Sequence, residues 1–402
     1  MAAVAPFQYE TSQLALDAIL DALSPVGTEE LPLEQAGGRF IAQDVVADRP
    51  SPACDVSAMD GYALRMADLA HTEVEVAGEA LIGRESPELP QGKALRIFTG
   101  SMVPPGTETI VIREHVQEQD GKIILSNDAR KARPGMHIRR QGENTAKSST
   151  VVKKGSSITP ASISALAGFG KAKPVVCRKL RVSVLVTGDE LLDVTDRPDP
   201  WQLRESNSYT LRAFLSRLPW VELIRCAVVR DNPHQTDAAV ARAVSDSDVL
   251  LMSGGVSMGQ RDFVPEAVKK AGCRVIVHRL PVKPGKPVLA AVGPGGQLVM
   301  GLPGNPVSVM VSAHRFALPA MKKLAGSSEP VQRTAAVDLQ QGDEKLLKLW
   351  WYRPVRLTRG GTAELIRSKG SGDLVSVAES DGFVEVPPGE YSRGWLSYYP
   401  WL

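Results

Sequence analysis

Cysteine, aromatic residues and net charge are all scarce in this chain of 402 residues, and each scarcity removes a class of function. The four cysteines, Cys54, Cys177, Cys226 and Cys273, lie far apart, so neither a zinc knuckle nor a redox pair is expected. Scattered single cysteines act as small hydrophobes and suit a reducing, cytoplasmic setting. Aromatics make up 5% of the chain, too few for the stacking platforms of a single-strand nucleic-acid binder. A formal net charge of +2 argues against nucleic acid as a partner, which calls for a strongly basic face. No run of about 18 apolar residues occurs, so no membrane span is expected. The first ten residues have neither the basic start nor the apolar core of a secretory signal.

What remains is the composition of an ordinary globular protein, 43% hydrophobic and 23% charged, and too long for a single core. Residues 11–23 carry Leu14, Ile19, Leu20 and Leu23 at helical spacing, and Pro25 and Gly27 close that helix. Residues 31–43 read as a connector. Between residues 73 and 125, short apolar runs broken by Gly and Pro predict a small all-β unit. Just before it, Asp60-Gly61 marks a turn leading into a strand, which either ends at the surface or holds a carboxylate at a site. Ile97-Phe98-Thr99-Gly100 ends another strand on a hydroxyl and a glycine. Residues 130–154 are rich in Arg and Lys, best explained as a solvated face, and residues 161–170 form a short Ala-rich helix.

After Pro174 the texture changes to alternating strands and helices. Strands are expected at residues 180–186, 221–229, 249–252, 274–278, 288–292 and 298–300. Helices are expected at 206–218, 233–244, 264–271 and 306–324. Such alternation predicts a doubly wound, mostly parallel sheet, whose ligands sit beyond the carboxyl ends of the strands. The residues there are Thr187-Gly188-Asp189-Glu190, Arg230-Asp231-Asn232-Pro233, Ser253-Gly254-Gly255-Val256-Ser257 with Asp262, and Leu302-Pro303-Gly304-Asn305-Pro306-Val307-Ser308. The Ser-Gly-Gly turn offers backbone N–H groups without Cβ shielding, a cradle for an anion. Acidic residues at three of these ends beside that cradle call for a divalent cation to reconcile the charges. Asn305 and Pro306 read as a helix N-cap and first turn, with the anion preference of a helix N-terminus added. Lys283-Pro284-Gly285-Lys286-Pro287 is a stiff cationic corner suited to an oxyanion. Residues 331–402 lose the βα rhythm and predict a small β domain, with an exposed hydroxyl in Lys369-Gly370-Ser371-Gly372-Asp373.

Five of these motifs, in order, carry a resemblance that covers essentially the whole chain. They are Ser57-Ala58-Met59-Asp60-Gly61-Tyr62-Ala63, Thr187-Gly188-Asp189-Glu190-Leu191, the Ser253 loop with Asp262, the Lys283–Pro287 corner and Leu302-Pro303-Gly304-Asn305-Pro306. The chain resembles the molybdopterin molybdenumtransferases, the family of MoeA and the gephyrin E domain. The resemblance implies a multidomain α/β protein. Its parts would be an elongated N-terminal α+β domain (residues 1–48 plus 139–174), an inserted β domain (49–138), a molybdopterin-binding α/β domain (175–326) and a C-terminal β domain (327–402). It implies insertion of molybdate into adenylylated molybdopterin with release of AMP, dependent on Mg²⁺, by a cytoplasmic homodimer. An adenylyltransferase that supplies the pterin and cofactor-accepting proteins would be its partners. By motif, Asp60, Thr99, Glu190, Asp231 and Asp262 carry over as catalytic positions, the last three also as metal-holding. Ser253, Gly254, Gly255, Ser257, Pro303, Gly304 and Asn305 would hold the pterin substrate. Lys283, Lys286, Pro287, Ser308, Lys348 and Ser371 would hold molybdate. Four positions depart from the family pattern: Asn144 stands for an acidic residue, Lys348 for an arginine, and Cys54 and Val56 for the usual Phe and Asn. A scaffold without catalysis, or a phosphoanhydride hydrolase on the same central fold, are the alternative readings.

Overall fold

The computed structural model of the chain describes residues 7–257, 259, 262–331 and 335–401. Met258, Gln260 and Arg261, inside the glycine loop singled out above, lie outside the described residues. The chain divides into two compact units, one made of Met1–Gln43, Lys153–Ser164 and Ala172–Leu402, the other of Asp44–Val152 and Ala165–Lys171.

The smaller unit is built on six strands: β1 (Gly61–Leu64), β2 (Glu73–Ala80), β3 (Lys93–Ile97), β4 (Thr109–Ile112), β5 (Val116–Gln119) and β6 (Lys122–Leu125). They form one sheet in the order β4-β1-β3-β2-β6-β5. Successive side chains of a strand point to opposite faces, and the sheet buries both. Tyr62, Leu64 and Val111 pack on one side, Ala63, Leu95, Ile97 and Ile110 on the other. Gly61 does more than turn the chain, because a Cβ there would lie 2.0 Å from the Val111 carbonyl oxygen. The close approach of β1 to β4 needs a residue without a side chain.

The larger unit opens with α1 (Ser12–Asp21), whose N-cap Thr11 accepts a hydrogen bond from the Leu14 N–H at 3.1 Å. Helix α2 spans Pro160–Gly168. That sheet comprises β7 (Leu180–Thr187), β8 (Val221–Val229), β9 (Val249–Ser253), β10 (Arg274–His278), β11 (Leu289–Val292) and β12 (Leu298–Leu302), in the order β8-β7-β9-β12-β11-β10. Helices α3 (Asn207–Ser216), α4 (Pro233–Asp246) and α5 (Val264–Lys270) connect the strands. Alternation along β7 and β9 again fills both faces. Val182, Val184, Val186 and Leu251 join a core with α1 and α3, whereas Leu185, Leu250 and Met252 join one with α4 and α5. Strands β7, β8, β9 and β12 are parallel; β11 runs against β12 and β10. The reversal follows from a tight turn in which the Gly293 N–H donates to the Gln297 carbonyl at 2.8 Å, leaving no room for a crossover helix.

The expected closing helix over residues 306–324 is interrupted. Helix α6 (Pro306–Ser312) passes through a π-helical turn, Ala313–Ala317, into α7 (Leu318–Leu324). Pro319 has no N–H to give to the preceding turn and its ring would strike the carbonyl four residues back, so a widened turn just before it relieves the conflict. The tail forms β13 (Ala335–Leu339), β14 (Trp350–Leu357), β15 (Thr362–Leu365), β16 (Gly382–Val386) and β17 (Gly394–Pro400). Each pairs with its neighbour in the circuit β14-β15-β13-β17-β16, and β16 pairs back on β14, closing a small barrel around Val337, Leu339, Val355, Val384 and Leu396. A short helix, α8 (Leu374–Ala378), arises where a bare turn was expected, because Asp373 caps it by accepting from the Ser376 N–H.

Candidate active site

Parallel strands with a common direction deliver their loops to one edge. Thr187, Val229, Ser253 and Leu302 end β7, β8, β9 and β12, and the segments that follow line a cavity of about 780 Å³. Glu190, Glu205, Asp231 and Asp262 give it an acidic border, with Arg204 as its basic member. Of the residues assigned from sequence to the pterin substrate, Ser253, Gly254, Gly255, Ser257, Pro303, Gly304 and Asn305 all border this cavity. Gly254 and Gly255 both have positive φ, 89° and 63°, and a Cβ on Gly254 would lie 2.5 Å from the Thr187 carbonyl oxygen. The glycine turn is therefore pressed against the end of β7, and only glycine fits there.

The acidic border is not a ready-made metal site. Asp262 turns back on its own loop, where a carboxylate oxygen accepts from the Gly259 N–H at 2.5 Å. Asp231 and Asp189 exchange hydrogen bonds, each carboxylate accepting from the other's backbone N–H at 3.3 and 3.1 Å. Among the described residues, no three His, Cys, Asp or Glu side chains converge as a metal-holding group. The chemistry of the border still fits a hard divalent cation. Its donors are carboxylate oxygens, and such an ion as Mg²⁺ keeps several waters and binds through one or two carboxylates together with substrate phosphates.

A second cavity, of about 590 Å³, shares Pro287, Pro303 and Asn305 with the first and has the opposite character. Lys283, Lys286, Lys345, Arg353 and Lys369 border it, with Asp343 as its acidic member. The expected Lys283, Lys286, Pro287, Ser308 and Ser371 all lie here. Lys348 does not: it is exposed on the segment before β14 and does not border the cavity. The guanidinium in this region is that of Arg353, on β14 itself. Arg353 is nine-tenths buried, donates to Asp343 at 2.7 Å and to the Ser392 hydroxyl at 2.9 Å, and lies 3.9 Å from the centre of the Trp351 ring. Burial pulls its pKa down, and Asp343 opposes that pull. Lys283 and Lys345 approach the same ring at 5.7 and 6.0 Å, so Trp351 gathers three cations. Val282–Lys283 pairs in parallel with Trp350 and Trp351, which brings the cationic corner to the barrel.

Asn305 does not act as the N-cap that its position suggested. Its side chain makes no cap hydrogen bond and instead donates from Nδ2 to the Ser371 hydroxyl at 2.8 Å.

Asp60 and Thr99 belong to the smaller unit. One carboxylate oxygen of Asp60 accepts from both the Thr99 N–H and the Thr99 hydroxyl, each at 2.7 Å. Those two bonds, with Arg113 nearby, hold the Asp60 carboxyl below the usual carboxylate range. It borders a hollow of about 150 Å³ together with Tyr62, Arg96, Arg113 and Glu118, in which Tyr62 and Arg96 both donate to Glu118. In the same unit Asn144 accepts from Arg139 at 2.6 Å, Cys54 is half-buried, and Val56 pairs with Arg139 between two short strands.

Three family models match the chain in sequence. The MoeA N-terminal region (domains I and II) covers residues 11–170, a probable molybdopterin-binding domain covers 183–323, and the MoeA C-terminal region (domain IV) covers 351–394. A molybdopterin molybdenumtransferase of Haemophilus influenzae is 37% identical over 76% of this chain and 75% of its own length. This chain belongs to the molybdopterin molybdenumtransferase family. A second relative of that name, from Synechococcus elongatus, is 34% identical over 91% of this chain and 92% of its own. A crystal structure of the molybdopterin biosynthesis MoeA protein of Pyrococcus horikoshii superimposes with a TM-score of 0.81 over 96% of this chain and 99% of its own, at 26% identity. The family makes the chain an enzyme of molybdenum-cofactor biosynthesis. No helix among the described residues is long and apolar enough to cross a membrane.

Proposed function

We propose that this transferase takes adenylylated molybdopterin in the acidic cavity and molybdate in the basic one, and joins them with release of AMP. The observation that carries the reading is the shared wall of the two cavities, Pro287, Pro303 and Asn305, with acidic residues on one side and lysines and Arg353 on the other. Molybdate is a tetrahedral dianion. Lys283, Lys286 and the hydroxyls of Ser308 and Ser371 supply the charge-assisted hydrogen bonds that it needs. One or two of the carboxylates Glu190, Asp231 and Asp262, together with the phosphates of the substrate, would hold a Mg²⁺ ion, which would neutralise the phosphoanhydride when bound.

In the first step the two dithiolene sulfurs form bonds to molybdenum, and one oxide leaves with the two thiol protons as water. A water then cleaves the anhydride to give AMP and the phosphorylated pterin that carries the metal. No covalent nucleophile of the protein is called for. The chain orients the two substrates and neutralises their charge. Asp60, kept ionised by Thr99, can accept hydrogen bonds but not donate them. The family resemblance further supports a Mg²⁺-dependent cytoplasmic homodimer, which light scattering at twice the chain mass would test.

The deciding experiment is AMP release from adenylylated molybdopterin with purified protein and Mg²⁺, with and without molybdate. Release that depends on molybdate is expected. Full-rate release without molybdate would favour a phosphoanhydride hydrolase, and no release under either condition would favour a scaffold. The Asp262→Ala variant should lose most turnover while keeping its melting temperature; wild-type turnover would remove Asp262 from the machinery.

A further inference from the structure

Asn207 belongs to none of the motifs, yet it is 8% exposed and lies between the two glycine turns. It occupies the first position of α3. Its Nδ2 donates to the Ser253 hydroxyl at 2.9 Å and to the Gly304 carbonyl at 2.7 Å. Both N–H bonds of the amide are thus spent on tying the end of β9 to the end of β12. The Ser253 hydroxyl adds a bond to the Pro303 carbonyl at 3.3 Å, and the Gly254 N–H donates to the Leu302 carbonyl at 3.2 Å. The tie continues beyond Gly304. The next residue, Asn305, donates to the Ser371 hydroxyl at 2.8 Å, and the Val307 N–H donates to the Ser371 carbonyl at 3.1 Å. Asn207 thus starts a continuous strut, through Gly304 and Asn305, from the floor of the acidic cavity to a hydroxyl of the basic one. Its Oδ1 is buried without a hydrogen-bond partner among the described residues. An unbonded buried acceptor is costly, and the fold retains it for the sake of the two N–H bonds.

We infer that Asn207 is a positioning residue that fixes the separation between a ligand in the acidic cavity and an oxyanion in the basic one. It acts through Gly304 and Asn305 and does not itself hold either ligand. Each site can still fill when the strut is cut, because the lysines and the glycine cradle are untouched. What fails is their mutual placement, and misplacement by about 1 Å can cost on the order of 100-fold in rate.

The inference rests on the reaction proposed above, and the test separates the two. Turnover of adenylylated molybdopterin is measured with wild type, Asn207→Ala, Asn305→Ala and the double variant, varying pterin and molybdate in turn. A fall of about 10-fold to 100-fold in kcat is expected for either single variant, and Asn207→Ala should keep both KM values within about threefold of wild type. The double variant should be no slower than the worse single one, because both changes cut one strut. Losses that add, a rise in KM with kcat unchanged, or unaltered kinetics would each overturn the inference while the reaction stands. A wild type without molybdate-dependent AMP release would remove the reaction and the strut's role together. If Asn207→Ala does not fold, Asn207→Ser, which keeps a small polar side chain but cannot span both bonds, decides by the same split between kcat and KM.

Discussion

A lysine that faces an oxyanion and one that faces solvent differ in what their removal costs. Lys286 borders the basic cavity, and its ammonium also lies 5.5 Å from the centre of the Phe7 ring. A hydrogen bond to a charged group contributes about 1.5–3 kcal/mol, or roughly 10-fold to 100-fold in affinity. Lys286→Ala should therefore raise the molybdate KM by about that factor, with kcat at saturating molybdate close to wild type. An unchanged molybdate dependence would take Lys286 out of the pocket. His314 shows the opposite use of a titratable side chain. It sits in the π-helical turn, between Phe214 and Trp401, and its Nδ1–H donates to the Met310 carbonyl at 2.8 Å. Burial pulls its pKa from 6.5 down to about 4, with the Met310 bond opposing. The folded state thus keeps His314 neutral over a range where the unfolded chain protonates it. The stability this supplies is complete above about pH 6.5 and is lost as pH falls towards 4, a change of about 3 kcal/mol. Denaturant titrations of wild type and His314→Phe between pH 4 and 7 should show a flatter slope for the variant. Equal slopes would show that the imidazole does not carry this dependence.

Turns that bind ligands are held by the elements that flank them, and this decides what a small change costs. Gly254 has φ 89° and faces the Thr187 carbonyl at the end of β7. Neither strand can retreat, since β7 and β9 are paired along Val182–Val186 and Val249–Ser253. Gly254→Ala should destabilise the protein by about 1–3 kcal/mol through backbone strain and should also deform the cradle. A thermal melt together with the turnover assay tests this; wild-type values in both would mean that the turn has slack. The same element explains why the acidic cavity was legible in the sequence. Four apolar runs that break into small or acidic residues mark four parallel strand ends, and parallel strands share an edge. The reversed β11 was not legible, because an apolar run does not show its direction and only the Gly293 turn sets it. The interrupted closing helix was hidden in the same way, since Pro319 sits in an otherwise continuous apolar pattern. Within the sites, local logic misassigned two residues. Asn305 reads as a cap but its amide finds Ser371 across the fold. Lys348 matches by spacing, yet Arg353 is the cation that the barrel turns into the cavity. Asn207 left no local sign at all, because its role depends on contacts with Ser253 and Gly304, 46 and 97 positions away in sequence.

Two hydrophobic organisations within one chain predict two unfolding events. The smaller unit, Asp44–Val152 with Ala165–Lys171, has its own six-stranded sheet and fills both faces with its own side chains. The larger unit shares one core among α1, the central sheet, the closing helices, and Tyr352 and Phe383 of the barrel. The central α/β sheet and the barrel should consequently melt together, even though the sequence changes texture between them. The smaller unit is free to melt at a different temperature. Calorimetry should then show a transition whose calorimetric enthalpy exceeds the van't Hoff value, or two resolved peaks. Leu64 is fully buried in the smaller unit, and Leu64→Ala should cost about 2–5 kcal/mol there. The variant should lower one transition and leave the other in place. Both transitions falling together would show that the units unfold as one, and the boundary near residues 44 and 152 would then carry no energetic meaning.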